Sequence, residues 1–120
     1  MAIQYLLDEH ISPVFRTQLV RRNPELKVRI IGDLDVPPKG TLDPEILVWC
    51  ELNNYILVTN NRKSMPKHLA QHLEEGGHIP GIFTIDLEIG MGQLLDELIL
   101  IASASFEDEY RDRIEYLPLN

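Results

Sequence analysis

The sequence predicts an α/β protein, a three-layer α/β/α sandwich around a parallel sheet of four or five strands, and three observations predict it. Short apolar runs alternate with segments of helical periodicity along the chain. The runs are near-continuous Val, Ile and Leu, as strands covered on both faces require. Their spacing is that of crossover units, which pair strands in parallel, place helices on both faces and are right-handed by default.

The first strand is "AIQYLL", residues 2–7, stopped by Asp8, Glu9 and His10. "SPVFRTQLVRR" then opens a helix, with Ser12 as the N-cap and Pro13 at the first helical position. "LKVRII" (26–31) is the second strand, closed by Gly32. "DLDVPPKGT" (33–41) is a loop, because Pro37, Pro38 and Gly40 break regular structure. Asp43 and Pro44 repeat the cap-and-proline start, and a helix runs from there to Asn53 or Asn54. "YILVT" (55–59) is the third strand, and a helix spans about Pro66 to Glu75 before a glycine stop. "PGIFTID" (80–86) is the fourth strand, "MGQLLDELILIASASFEDEY" (91–110) a long helix, and "IEYLPLN" (114–120) a last edge strand.

Length and composition narrow the class. With 120 residues, 44% hydrophobic and 25% charged, the chain is expected to be a single domain, 1–120, able to close a core without disulfides or a structural metal. Cys50, alone in "ILVWCEL", has no internal bridging partner and reads as a small buried hydrophobe. No stretch reaches the roughly 18 apolar residues of a membrane span. Met1 leads directly into a strand pattern without a charged leader, so no membrane association and a cytoplasmic location are expected. The net charge of −8 repels nucleic acid at long range, and any RNA partner must meet a local basic patch. Arg62, Lys63 and Lys67 form one such cluster, and Arg16, Arg21 and Arg22 another.

Ligands of an open parallel sheet bind beyond the carboxyl ends of its strands. Those ends carry Asp8 and Glu9, Asn60 and Asn61, and Asp86, with Asp43 and Glu45 at a helix start. Hard oxygen donors gathered this way suit Mg²⁺ or Mn²⁺, which can activate a water against a phosphodiester. Each residue also has a plainer role: Asp8 as a turn residue, Asp43 as an N-cap, Asn60 and Asn61 as turn asparagines. His68 and His72, four apart on a helix, have the spacing of a metal pair, but no third ligand motif accompanies them and a solvated face is the simpler account. His10, beside Asp8, reads as a group supporting the site or as a loop residue.

The pieces "YLLDEH", "GTLDPEILVWCELNNYILVT", "TNNR" and "GIFTID", spanning most of residues 3–86, resemble the PIN-like nuclease family, in particular the short PIN-like domains related to VapC-type toxin ribonucleases. The resemblance implies a PIN-like fold in which Asp8, Asp43 and position 61 hold metal. Position 61 is Asn, and position 63, where the family often has a second acid, is Lys. The family's helical glutamate has no clear counterpart between residues 12 and 41, and Glu9 or Glu45 could stand in. The resemblance thus leads to an expected Mg²⁺- or Mn²⁺-dependent ribonuclease of toxin–antitoxin type with a weakened metal site. Its expected catalytic residues are Asp8, Asp43, Glu45 and Asn61, and its expected partners RNA and a cognate antitoxin. The alternatives are a degenerate PIN-like module that binds protein or RNA without cutting it, and a small-ligand or phosphate-binding protein on a similar sheet. Finally, Leu94, Leu95, Leu98, Ile99, Leu100 and Ile101 surround most of the last helix, which predicts a homodimer burying part of that surface.

Overall fold

The structure is a computed structural model that describes residues 2–118; Met1, Leu119 and Asn120, which include the end of the expected last strand, lie outside the described residues. Among the described residues nine elements alternate: β1 (Tyr5–Leu7), α1 (Val14–Arg22), β2 (Val28–Ile30), α2 (Asp43–Asn53), β3 (Ile56–Thr59), α3 (Met65–Glu74), β4 (Ile82–Ile85), α4 (Met91–Ala104) and β5 (Ile114–Leu117). The strands form one five-stranded sheet in the order β2-β1-β3-β4-β5. Every pairing is parallel.

Alternation of side chains across the pleat divides the core into two layers. Tyr5, Leu7, Val58, Phe83, Ile85 and Leu117 pack against Phe15 and Leu19 of α1 and Leu94, Leu95, Leu98 and Ile101 of α4. Leu6, Leu57 and Ile82 face the other way, against Ile46, Leu47 and Cys50 of α2 and Met65 and Leu69 of α3. Strands β1, β3 and β4 are buried along their whole lengths, which is why their sequences read as unbroken apolar runs. Two helices on each face give the three layers that the sequence predicts. Cys50 is buried as expected, and burial pushes its thiol up from the usual range, so it packs as a hydrophobe.

Three local expectations differ from the observed elements. The caps of α1 and α2 are Pro13 and Leu42, so Asp43 lies inside the first turn, where a carboxylate still favours the positive end of the helix. Its side chain is thereby free to face another element. Helix α4 ends at Ala104 instead of Tyr110, and turns lead from there to β5.

The third difference concerns handedness. From β1 to β2 the chain steps one way across the sheet over the α1 face. From β2 to β3 and from β3 to β4 it steps the other way over the opposite face, so these three crossovers share one hand. The step from β4 to β5 continues in the second direction, yet α4 lies on the α1 face, which gives this crossover the opposite hand. The uniform right-handedness expected of parallel units therefore fails at α4. The physical reason is coverage: α2 and α3 already cover one face, and Val58, Phe83 and Ile85 on the other are left for α4 to bury.

Candidate functional site

In the observed strand order, the chain leaves β1 toward β2 and leaves β3 toward β4, in opposite directions. The carboxyl ends of these neighbouring strands therefore form a topological switch point, where the departing loops splay and a ligand crevice opens. A cleft of about 340 Å³ lies there, lined by Asp8, Glu9, His10, Gly40, Thr41, Leu42, Asp43 and Asn61.

Asp8 follows β1 directly, and its backbone N–H donates to Val58 O at 2.9 Å, which continues the pairing of the strands. Asp8 is only 7% exposed. Its Oδ2 accepts the Thr59 hydroxyl at 2.8 Å and its Oδ1 accepts the Glu9 backbone N–H at 2.6 Å. The same Thr59 oxygen accepts the Asn61 backbone N–H at 3.1 Å. One buried threonine thus couples the end of β1 to the turn after β3.

Asn61 continues the chain of contacts. Its Nδ2 donates to Asp43 Oδ2 at 3.1 Å and to Ser64 Oγ at 2.6 Å, while its Oδ1 accepts the Ser64 N–H at 3.2 Å. The amide therefore ties α2 to the start of α3. His68, one turn into α3, brings Nε2 to 3.6 Å from Asp43 Oδ2, both side chains being about a quarter exposed. On the opposite wall Glu9 Oε1 accepts the Gly40 N–H at 3.0 Å, holding the 33–42 loop across the cleft.

Asp8, Asp43 and Asn61, the three positions expected to hold metal, thus share one cleft, with Glu9 and His10 beside them. Glu45 is elsewhere: it is exposed and lines a groove of about 160 Å³ with Pro44, Val48, Gln71, His72 and Glu75. Asp86 accepts the Glu88 N–H at 3.0 Å and serves the turn after β4. The solvated face expected for His68 and His72 holds only in part: His68 stands part-exposed beside Asp43, whereas His72 is buried by the packing of α3 and meets Glu51 Oε1 at 2.7 Å; His78 meets Asp112 Oδ2 at 2.7 Å, and these last two contacts lie at the far end of the sheet. There the His78 amide and the His72 ring hold the Glu51 carboxyl below the usual range. Thr59, Ser64 and His68 were not among the expected site residues; the available signal was a threonine closing an apolar strand, and a Ser and His four apart at a helix start.

The donor chemistry of the cleft fits a hydrated divalent cation. Asp8, Glu9 and Asp43 supply hard oxygens, and each oxygen of Asp8 accepts one hydrogen bond and so retains a further lone pair. Asn61 is different, because its amide nitrogen, the group turned to Asp43, cannot ligate a cation. Among the described residues, no three His, Cys, Asp or Glu side chains close into a ready metal cage, so much of such an ion's shell would be water. Arg62, Lys63 and Lys67 are exposed on the turn and helix that follow β3, and Arg62 lies 5.1 Å over the Tyr116 ring. Comparison with protein-family models, curated proteins and solved structures returns no match.

Proposed function

We propose that the protein is a PIN-like domain whose cleft binds Mg²⁺ or Mn²⁺ weakly and cleaves single-stranded RNA, in the manner of a toxin–antitoxin ribonuclease. The observation that carries this reading is the convergence of Asp8, Asp43 and position 61, from three separate segments, on a cleft at the switch point of the sheet. When bound, the cation supplies positive charge for the phosphoryl oxygens and a more acidic water. Thr59 and the Glu9 amide hold the Asp8 carboxylate in place, and Asn61 does the same for Asp43. Lys63 and Arg62, exposed on the turn after β3, offer charge to the RNA backbone. Asn61 joins the ligands only if its amide reverses, which costs its hydrogen bonds to Asp43 and Ser64; weak cation binding follows. A cytoplasmic setting, a cognate antitoxin and a homodimer belong to the same proposal.

The orientation of Asn61 also favours a second reading, a PIN-like module that binds RNA or protein without cutting. An amide N–H directed at Asp43 partly fills the role of a cation. Calorimetry with Mn²⁺ and cleavage of single-stranded RNA separate the two. On the nuclease reading the native chain cuts slowly with Mn²⁺, Asp8→Asn abolishes cutting, and Asn61→Asp combined with Lys63→Asp increases both affinity and rate. Brisk cutting that survives Asp8→Asn would show that the site lies elsewhere. Failure of the restored carboxylates to raise Mn²⁺ affinity would favour the binding module.

A further inference from the structure

His68 sits beside Asp43 without a hydrogen bond to it. The separation of 3.6 Å between Nε2 and Oδ2 exceeds normal hydrogen-bond length. It is close to the separation of two donors on one ion. Donors at about 2.1 Å from a tetrahedral centre stand roughly 3.4 Å apart, whereas adjacent donors on octahedral Mg²⁺ stand roughly 3.0 Å apart. The neighbouring contacts hold this spacing in place. Asn61 accepts the Ser64 N–H, Ser64 O accepts the His68 N–H at 3.2 Å, and the Asn61 amide reaches Asp43 itself. The turn at 60–64 therefore fixes the start of α3 and, with it, the imidazole's position over the carboxylate. Asn61 takes one lone pair of Asp43 Oδ2 and leaves a second for another partner.

We propose that His68 is a nitrogen ligand of the cation held at Asp43, and that the site consequently selects borderline ions of the Zn²⁺ and Co²⁺ kind over Mg²⁺. This rests on the reading of the cleft as a cation site and changes which cation it takes. Imidazole nitrogen adds affinity along the transition series but little for Mg²⁺, which is held by oxygen. Two protein ligands at contact distance, with water completing the shell and Asp8 on the cleft wall, make a site that exchanges its ion readily.

The test uses tag-free full-length protein at mildly alkaline pH, titrated with Co²⁺ and with Mg²⁺ by calorimetry, with Co²⁺ visible absorbance as a second readout. The native chain is expected to bind Co²⁺ at least about tenfold more tightly than Mg²⁺. His68→Gln is expected to lower Co²⁺ affinity by about tenfold or more, shift its absorbance, and change Mg²⁺ affinity by less than about twofold. Its thermal midpoint without metal is expected to equal that of the native chain, which a merely structural role would not allow. His78→Gln, at the other end of the sheet, is expected to leave Co²⁺ binding unchanged. If His68→Gln keeps the Co²⁺ affinity and spectrum while Asp43→Asn loses them, oxygen alone holds the ion and the inference falls while the cation site stands. If neither Asp8→Asn nor Asp43→Asn affects the binding of either ion, the cation-site reading falls as well.

Discussion

Asn61 makes three side-chain hydrogen bonds, and an aspartate in its place keeps the one accepted from the Ser64 N–H and, with the Ser64 hydroxyl turned to donate, the one to Ser64 Oγ. The bond to Asp43 Oδ2 becomes a pair of like charges at the same 3.1 Å contact. With a chelator present, Asn61→Asp is expected to destabilise the fold by about 1–3 kcal/mol. Adding Mn²⁺ or Co²⁺ is expected to recover most of that loss, because an ion that binds only the folded state adds its binding free energy to stability. Thermal melts of both chains with and without metal read this directly. A midpoint for the variant that metal leaves unmoved would show that the restored carboxylate does not face the ion.

At the scale of elements, the cleft depends on a loop that has no regular structure to hold it. Residues 33–42 are anchored at their base by Asp33, whose Oδ2 accepts the Ile30 N–H at 2.9 Å and Arg16 at 2.6 Å, with Arg29 3.6 Å away. Burial alone would raise the Asp33 carboxyl, but the Ile30 amide, Arg16 and Arg29 outweigh it and hold the carboxyl below the usual range. For Asp112, burial again opposes ionisation, and the Ile79 amide, His78 and Arg111 again prevail. Together with Glu51 these groups ionise more readily in the folded chain than in the unfolded one. Their contribution is thus complete above the unfolded carboxylate value of about 4 and is lost as pH falls through the lower folded values. Asp33→Asn is expected to lower the thermal midpoint near neutral pH and to reduce its slope between about pH 5 and pH 2, where native and variant chains converge. Parallel curves for the two chains would mean that the clamp adds nothing.

At the scale of the whole molecule, α4 bears on both topology and assembly. Leu94, Leu95, Leu98 and Ile101 are buried against the chain's own sheet and α1, and the Tyr5 hydroxyl donates to Leu98 O at 2.7 Å. Most of the surface that suggested a homodimer is therefore covered internally. The proposed dimer is left with Leu100, 62% exposed, and Phe106, 79% exposed, near the end of the helix. Light scattering distinguishes a 13.8 kDa chain from a pair of twice that mass. A pair built on this face is expected to shift to the lower mass on Leu100→Glu, with no change in thermal midpoint at high dilution. A pair that persists in that variant would have to use another face.

The alternation of strand and helix, the loop at 33–41 and the buried Cys50 were all legible in the sequence, because continuous apolar runs, Pro and Gly act within a few residues of where they stand. So was the grouping of Asp8, Asp43 and Asn61, since strand ends in a parallel sheet, and the helix starts that follow them, lie at one edge, and the family resemblance picked these three from the residues there. Other features required the folded chain. The strand order that opens the cleft, and the face on which α4 lies, depend on which apolar surfaces remain uncovered after the other helices have packed. Glu45 left the site because the two residues of helix between it and Asp43 turn its side chain by about 200°, and Asp43 faced the cleft because Leu42 took the cap. His68 and His72 share a helix and a spacing, yet Asp43 meets the first and Glu51 the second. Pairing partners 21 to 25 residues away are chosen by tertiary packing of α2 against α3, and no local pattern in the sequence encodes that choice.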